Sequence, residues 1–422
     1  MKIIHINKSD VTGGASVAAS RIVKSLNENG VDVQMLVAEK KSNVAWVDSI
    51  AKSCAGKMKL NVRFLWEVLR FLPHEKSKQF RFAYSMGNSG FDLSKHPLVQ
   101  AADIIHLHWF NQGFLSIKGL GKILKLGKPV VWTLHDMWGF TGGCHYSGEC
   151  LRYADDCGLC RMLNNSSKKN ISFVQMALKK DIYYRAQLYP VACSNWLAQI
   201  AGQSALFNNT PVTSIPNPID IHLFKPINKR DARQKLGLPQ DKKLILFGAA
   251  NVADPRKGMQ HLFSALQLLA NRHHDNNIEL VVFGKTPELT ANKIPFNIHA
   301  MNYVSDAETL VNLYNAADVF VLPSLEDNLP NTVMEALACG LPVAAFSTGG
   351  VPEMVTHSNN GFLSSQGDEA GLAQGIELLL KNGKEQKFSV AAREKVETSF
   401  APHIIAGHYE ALYRKILNKE HE

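Results

Sequence analysis

Residues 319–353 read VFVLPSLEDNLPNTVMEALACGLPVAAFSTGGVPE. The apolar run Val319–Leu322 predicts a strand that stops at Pro323-Ser324. A polar loop, residues 325–330, precedes a helix expected from about Asn331. Gly340 ends that helix and Pro342 prevents its continuation. Val343–Phe346 predicts a second strand, closed by Gly349-Gly350. Strand, loop, helix and strand make a parallel βαβ unit. Such folds bind ligands outside the carboxyl ends of their strands. The open N–H groups and dipole of a helix N-terminus there favour an anion. Asp327 and Glu335 flank this mouth. Two readings of them stand side by side. Thr332-x-x-Glu335 fits a capping box and Asp327 fits a turn acid. Alternatively, both carboxylates face a bound ligand.

The same alternation extends outward in both directions. Further strands are expected at Lys243–Gly248, Ile278–Gly284 and Ile298–Val304. After the first of these, Arg256-Lys257-Gly258 leads into a helix. Two cations there form either an anion site or a solvated surface pair. Phe283 and Tyr303 end strands at the same rim, placed to flank a ligand. In the first half, strands are expected at Lys2–Ile6, Val31–Ala38, Ala102–Trp109, Pro129–His135, Tyr189–Ser194 and Val212–Asn217. Ala15, Ala18, Ala19, Ile22, Val23 and Leu26 repeat at helical spacing. Gly13-Gly14 precede that helix, where glycine lets backbone approach a ligand closely. His135-Asp136 ends a strand, at a ligand rim or as a loop histidine held by its neighbour. His106 and His108 share one strand face. His108 is nearer the strand end, and His106 reads as a hydrogen-bonded core residue. Strands alternating with helices argue parallel sheets covered on both faces.

Taken together, these motifs resemble the signature of family 4 glycosyltransferases. Glu335, Ala336, Ala338, Gly340, Pro342, Val343, Gly349, Gly350 and Glu353 match it position by position. Asp327 stands where the family usually has Glu, with Glu326 beside it as the alternative carboxylate. The resemblance implies an α/β chain of the GT-B fold: two Rossmann-like doubly wound domains facing an interdomain cleft. Residues 1–222 would be the acceptor domain and 223–401 the nucleotide-sugar-binding domain. Helix 402–418, with its stripe Ile405, Tyr409, Leu412, Tyr413 and Ile416, would cross back onto the first domain. Ile215–Asp220 is similar to the family's hinge, with Pro218 replacing a glycine. The resemblance also implies roles. His135 and Asp327 would face the transferred sugar. Gly13, Gly14, Arg256, Lys257, Asn331, Thr332 and Glu335 would bind donor. The implied reaction moves a sugar, with retention, from a nucleotide-diphosphate sugar to a hydroxyl of a polysaccharide or lipid-linked oligosaccharide precursor. It needs no cofactor for catalysis. Two rival readings share the fold: a nucleotide-sugar 2-epimerase, and a non-catalytic sugar-binding subunit.

Composition bounds the remainder. The chain has 422 residues, 45% hydrophobic and 20% charged, which suits two soluble domains. No apolar run reaches the ~18 residues of a membrane span. The start, Met1 to Ile6, reads as a strand and not as a leader, so a cytoplasmic protein is expected. The net charge of +9 is concentrated in residues 52–81, which carry eight Lys/Arg and two acids. Leu60, Phe64, Leu65, Trp66, Leu69, Phe71 and Leu72 interleave with them. This suits an anionic membrane surface, or a solvated helix whose apolar side packs on its own domain. No nucleic-acid-binding signature is present. Cys144, Cys150, Cys157 and Cys160 lie close together in CHYSGECLRYADDCGLC. They read as a structural zinc site with His145 as a substitute ligand, as free thiols, or as a redox pair at Cys157 and Cys160. A similar Cys-rich insertion occurs in a related subgroup of family 4.

Overall fold

The computed structural model describes residues 1–272, 277–285, 296–304, 306–381 and 385–418. The chain divides into two compact units, Met1–Asn217 with the chain from Ile405, and Pro218–Ile404. The expected boundary at 222/223 moves back to Pro218, and hydrogen bonds explain why. Ile219 N–H donates to the Phe400 carbonyl (3.0 Å), and Arg393 donates to the carbonyls of Ile221 (2.9 Å) and Phe224 (2.8 Å). Residues 219–224 are thereby tied to the second unit.

Among the described residues, the first unit contains seven strands: β1 Lys2–Ser9, β2 Asp32–Glu39, β3 Val47–Ser49, β4 Ile104–Leu107, β5 Val130–Leu134, β6 Leu188–Ala192 and β7 Thr213–Ser214. They form one sheet in the order β3-β2-β1-β4-β5-β6-β7, parallel throughout. The second unit contains β8 Lys243–Asn251, β9 Ile278–Lys285, β10 Asn297–Ala300, β11 Val319–Leu322, β12 Val343–Phe346 and β13 Gly361–Ser364. Their order is β10-β9-β8-β11-β12-β13, again parallel. Each is a doubly wound, Rossmann-like sheet. Strand order reverses between β1 and β4, and between β8 and β11, which defines a crevice at each set of carboxyl ends.

Alternation along the strands covers both faces. On β1, Ile4 and Ile6 join a core that includes Leu107, Phe110, Trp132 and Trp138. Ile3 points the other way, toward Ala19, Ile22, Val23 and Leu26 of the helix Gly14–Glu28. The C-terminal helix Pro402–Asn418 packs on that same face of the first unit through Ile405, Tyr409, Tyr413 and Ile416. In the second unit, the Arg233 guanidinium and the Leu244 N–H both donate to Asp318, which anchors a helix to the start of β8.

Several local expectations change. β3 and β13 were not foreseen, because three- or four-residue edge strands show no period. β4 ends at Leu107, so His108 lies beyond it, and β10 ends at Ala300, so Tyr303 lies in the following loop. The capping box does not form. The helix Asn331–Ala338 is preceded by Pro330 as its cap, and Glu335 is in the helix interior. Arg256 and Lys257 occupy a short 3-10 turn, and Gly258 (φ 70°) then opens the helix Met259–Ala270. The basic segment contains the helix Cys54–Phe71, which buries Leu60, Glu67 and Phe71. Met58, Val62, Leu65, Trp66 and Leu69 of the same helix are exposed, so the expected apolar face is divided. Among the described residues, no helix is long and apolar enough to cross a membrane.

Candidate active site

In the second unit the rim is built where β8 and β11 end. Lys257 Nζ donates to Asp327 Oδ2 at 2.5 Å. These two sequence-predicted residues, seventy positions apart, thus meet. The backbone brings them together. Leu325 N–H donates to the Arg256 carbonyl (2.8 Å), tying one loop to the other. Gly258 lies against the Pro323 carbonyl, where only a hydrogen fits. Gly349, at φ 55°, lies against the Asp327 carbonyl oxygen in the same way. Gly350 N–H donates to Asn328 O (2.8 Å) and Asp327 O (3.3 Å). The Gly-Gly turn therefore holds the backbone that carries Asp327.

Other predicted residues are placed differently. Arg256 donates to Asp254 Oδ2 (2.6 Å). Glu335 is buried and accepts from the Tyr314 hydroxyl (2.8 Å). Asn331 and Thr332 are half-buried in the first helical turn. Phe283 packs over Gly248 and edge-on to Tyr314, which makes it a core residue, whereas Tyr303 is exposed. Ser324, next to the end of β11, was overlooked in sequence. Its hydroxyl is buried, with no hydrogen-bond partner among the described residues.

In the first unit, Gly13 (φ 92°) caps the helix Gly14–Glu28 without a side-chain hydrogen bond. Open space lies where its Cβ would be. Ser9 Oγ accepts from the N–H groups of Val11 (3.3 Å) and Thr12 (3.2 Å), shaping the approach to this turn. Across the switch point, four histidines form one connected chain. His135 Nε2 shares a hydrogen bond with His108 Nδ1 (3.0 Å), and His108 Nε2 shares one with His5 Nδ1 (2.8 Å). His5 Nε2 meets the Tyr413 hydroxyl (3.3 Å), which also meets His106 Nδ1 (2.6 Å). His106 Nε2 continues to Thr133 Oγ1 (2.7 Å), and that hydroxyl to Tyr409 (2.9 Å). At the other end, Cys193 Sγ lies 3.5 Å from His135 Nδ1.

Burial keeps these rings neutral. Desolvation lowers His135 to about 4, against the opposing pull of Asp136, and lowers His5 to about 3. His106 and His108 are pushed well below the ordinary histidine range, chiefly by burial. Ligand atoms of His5, His106 and His108 all lie within 4.8 Å of one another. Their ring nitrogens are committed to the chain just described, so no metal is assigned there. Asp136 does not hold His135 by its carboxylate. It accepts from Trp109 Nε1 (2.9 Å), His145 Nδ1 (2.7 Å) and the Trp138 N–H (2.8 Å). Burial alone would raise Asp136. The His145 charge and these hydrogen bonds hold it below the ordinary carboxylate range.

His145 is removed from the candidate zinc ligands, because its Nε2 is engaged by Ser85 Oγ (2.8 Å) and its Nδ1 by Asp136. The four cysteines are free thiols, Cys157 buried and Cys144, Cys150 and Cys160 half-buried. They stop short of the 4.8 Å spacing that the histidines meet. Two buried charges escaped the sequence reading. Glu67 accepts from the N–H groups of Gly87 (2.9 Å) and Gly113 (3.0 Å), and burial raises its pKa. Lys179 has no exposed side chain. Only contact with distant backbone distinguishes either from a surface charge.

Two family profiles match the chain. Glycosyltransferase Family 4 matches residues 12–223 and Glycosyl transferases group 1 matches residues 228–395. An N-acetyl-alpha-D-glucosaminyl L-malate synthase of Bacillus anthracis is 24% identical over 50% of this chain and 56% of that protein. A putative colanic acid biosynthesis glycosyl transferase of Escherichia coli is 27% identical over 64% of this chain and 65% of that protein. The chain thus spans between half and two thirds of the length of these curated relatives. A solved Anabaena protein, HepE, in complex with UDP and glucose superposes with a TM-score of 0.65 at 16% identity. That superposition covers 98% of this chain and 99% of the other. The two parallel-sheet units are those of the GT-B fold.

Proposed function

This chain belongs to glycosyltransferase family 4, and on that premise we propose that it transfers a sugar from a nucleotide-diphosphate sugar to a hydroxyl of a polysaccharide or lipid-linked oligosaccharide precursor, with retention at the anomeric carbon. The observation that carries this reading is the Lys257–Asp327 pair at the switch point of the second sheet. As the glycosidic bond breaks, the leaving nucleoside diphosphate gathers negative charge. Lys257 and the N-terminus of the helix Asn331–Ala338 stabilise that charge without a metal. Diphosphate draws Lys257 from Asp327 and leaves a carboxylate beside the sugar, where oxocarbenium-like charge develops. Glu335 supports the donor side from behind the rim. In the first unit, neutral His135 offers a hydrogen-bonding ring to the sugar, and the open Gly13-Gly14 turn accepts close approach of substrate. The UDP bound by the HepE neighbour and the colanic acid role named for the E. coli relative support donor and acceptor class.

The acceptor reading extends to a membrane. On the helix Cys54–Phe71, exposed Met58, Val62, Leu65, Trp66 and Leu69 lie beside Lys57, Lys59 and Arg70. An apolar stripe flanked by cations complements an anionic bilayer, on whose cytoplasmic face a lipid-linked acceptor would be held.

Donor turnover with and without acceptor tests the function. Release of nucleoside diphosphate that depends on acceptor supports transfer. Rearranged sugar without acceptor marks a 2-epimerase, and binding without turnover marks a sugar-binding subunit. Lys257→Ala should weaken nucleoside diphosphate binding about ten- to hundredfold, the loss of one charged hydrogen bond. Unchanged binding in calorimetry would remove Lys257 from the donor site.

A further inference from the structure

We infer that the C-terminal helix, through Tyr409 and Tyr413, fixes the ring proton of His135 on Nδ1, and that Thr133, His106, His5 and His108 carry this order between them. The sheet places these groups in line. His5 on β1 and His106 on β4 are direct partners in the parallel ladder. Thr133 lies on β5, and His108 and His135 follow the ends of β4 and β5. Tyr409 and Tyr413 are one helical turn apart and share a face. All of these residues belong to the first unit. His135 is half-buried, and each of the others is at most 1% exposed.

A neutral imidazole has one N–H and one bare nitrogen. A ring that accepts at one nitrogen therefore donates at the other, and each ring passes on the order of its neighbour. The hydroxyls supply the direction. Among the described residues, those of Tyr409, Thr133 and Tyr413 make no hydrogen bonds outside the chain. Tyr409 stands at its end and meets only Thr133 (2.9 Å). If Tyr409 accepted from Thr133, its own O–H would be buried without an acceptor, which is costly. Tyr409 therefore donates to Thr133. Thr133 then donates to His106 Nε2 (2.7 Å), and His106 Nδ1–H donates to the Tyr413 oxygen (2.6 Å). Tyr413 O–H donates to His5 Nε2 (3.3 Å), His5 Nδ1–H to His108 Nε2 (2.8 Å), and His108 Nδ1–H to His135 Nε2 (3.0 Å). No other order gives every proton of the chain an acceptor. Burial lowers all four histidines and keeps the rings in the neutral form that this order requires.

The order decides what His135 can do. Its Nε2 accepts from His108 and has no proton to give. Its donor is Nδ1–H, which lies 3.5 Å from Cys193 Sγ, a weak acceptor. A sugar oxygen is a stronger one. Under the transfer reading, His135 meets the sugar as a hydrogen-bond donor and is not the base that takes the acceptor's proton. That role rests on the transfer reading, whereas the proton order stands without it. Tyr413, His5 and His108 are then positioning residues for His135.

Long-range proton–nitrogen correlation spectra of the full chain, isotope-labelled at histidine and free of substrate, separate protonated from bare ring nitrogens. His135→Gln identifies the His135 signals by their loss. At neutral pH His135 should show a protonated Nδ1 and a bare Nε2. A proton on Nε2, or a mixture, would overturn the order. Tyr413→Phe keeps the ring and removes the link between His106 and His5. His135 should then shift toward Nε2–H, because His5 is no longer made to accept at Nε2. Tyr409→Phe should leave the proton on Nδ1, because Thr133 becomes the terminal donor. Merely structural damage would not separate these two substitutions. An unchanged His135 in Tyr413→Phe, or a shifted one in Tyr409→Phe, would overturn the route. Tyr413→Phe should also lower turnover severalfold at parent-like nucleoside diphosphate binding. Parent-like turnover beside a shifted proton would overturn the positioning role. Absence of acceptor-dependent turnover in the parent would count against the transfer reading alone, since the spectra decide the proton order without substrate.

Discussion

His135 shows how a single residue acquires its chemistry from what surrounds it. In sequence it is a histidine before an aspartate. In the fold its ring is bonded to His108 and not to Asp136. Behind it stand His5 and His106, all four kept neutral by burial. This has a consequence for stability. His135 and His5 titrate near 4 and 3 in the folded chain, against 6.5 when unfolded. Between pH 6.5 and 4 the unfolded chain therefore binds more protons, and stability rises with pH through that window. It is lost as pH falls, by about 1.4 kcal/mol per pH unit for each such histidine. All six tryptophans lie in the first unit, so their fluorescence reports its unfolding alone. The melting temperature read this way should drop steeply below pH 6.5. A flat profile down to pH 5 would show that the four rings are not neutral and buried.

At the scale of the element, the turn after β12 positions a residue it does not contain. Gly349 lies on the Asp327 carbonyl, and Gly350 bonds the backbone of residues 327 and 328. Gly349→Ala places a methyl group in that contact at a left-handed φ, a combined cost of about 1–3 kcal/mol. Either the turn or the backbone that carries Asp327 must shift to relieve it. Turnover should fall tenfold or more while circular dichroism stays that of the parent, and parent-like turnover would separate the turn from the carboxylate. The helix Cys54–Phe71 teaches a second lesson. Its charges and apolar residues are plain in sequence, yet which face turns inward is not. Glu67 accepts two loop N–H groups and so points inward, and that rotates Leu65, Trp66 and Leu69 toward solvent.

For the molecule as a whole, the positive charge has a place to act. The exposed stripe of the helix Cys54–Phe71 and its flanking lysines and arginine should bind vesicles containing acidic lipid and ignore neutral ones. Each cation near such a surface contributes about 1 kcal/mol, screened by salt. Sedimentation should weaken with rising ionic strength and with Trp66→Ser or Leu69→Ser. Binding that ignores both lipid charge and salt would reject the surface. Much of this architecture is local information. Apolar runs of strand length, helical spacing, and glycine and proline at the ends of elements depend on near neighbours, so residues 319–346 were legible as strand, helix and strand. The pairing of Lys257 with Asp327, the histidine chain through the first unit, the burial of Lys179 and the inward turn of Glu67 join residues far apart in the chain. Those contacts form only when parallel strands are set in order, and the desolvation that tunes their charges exists only once the core has closed around them.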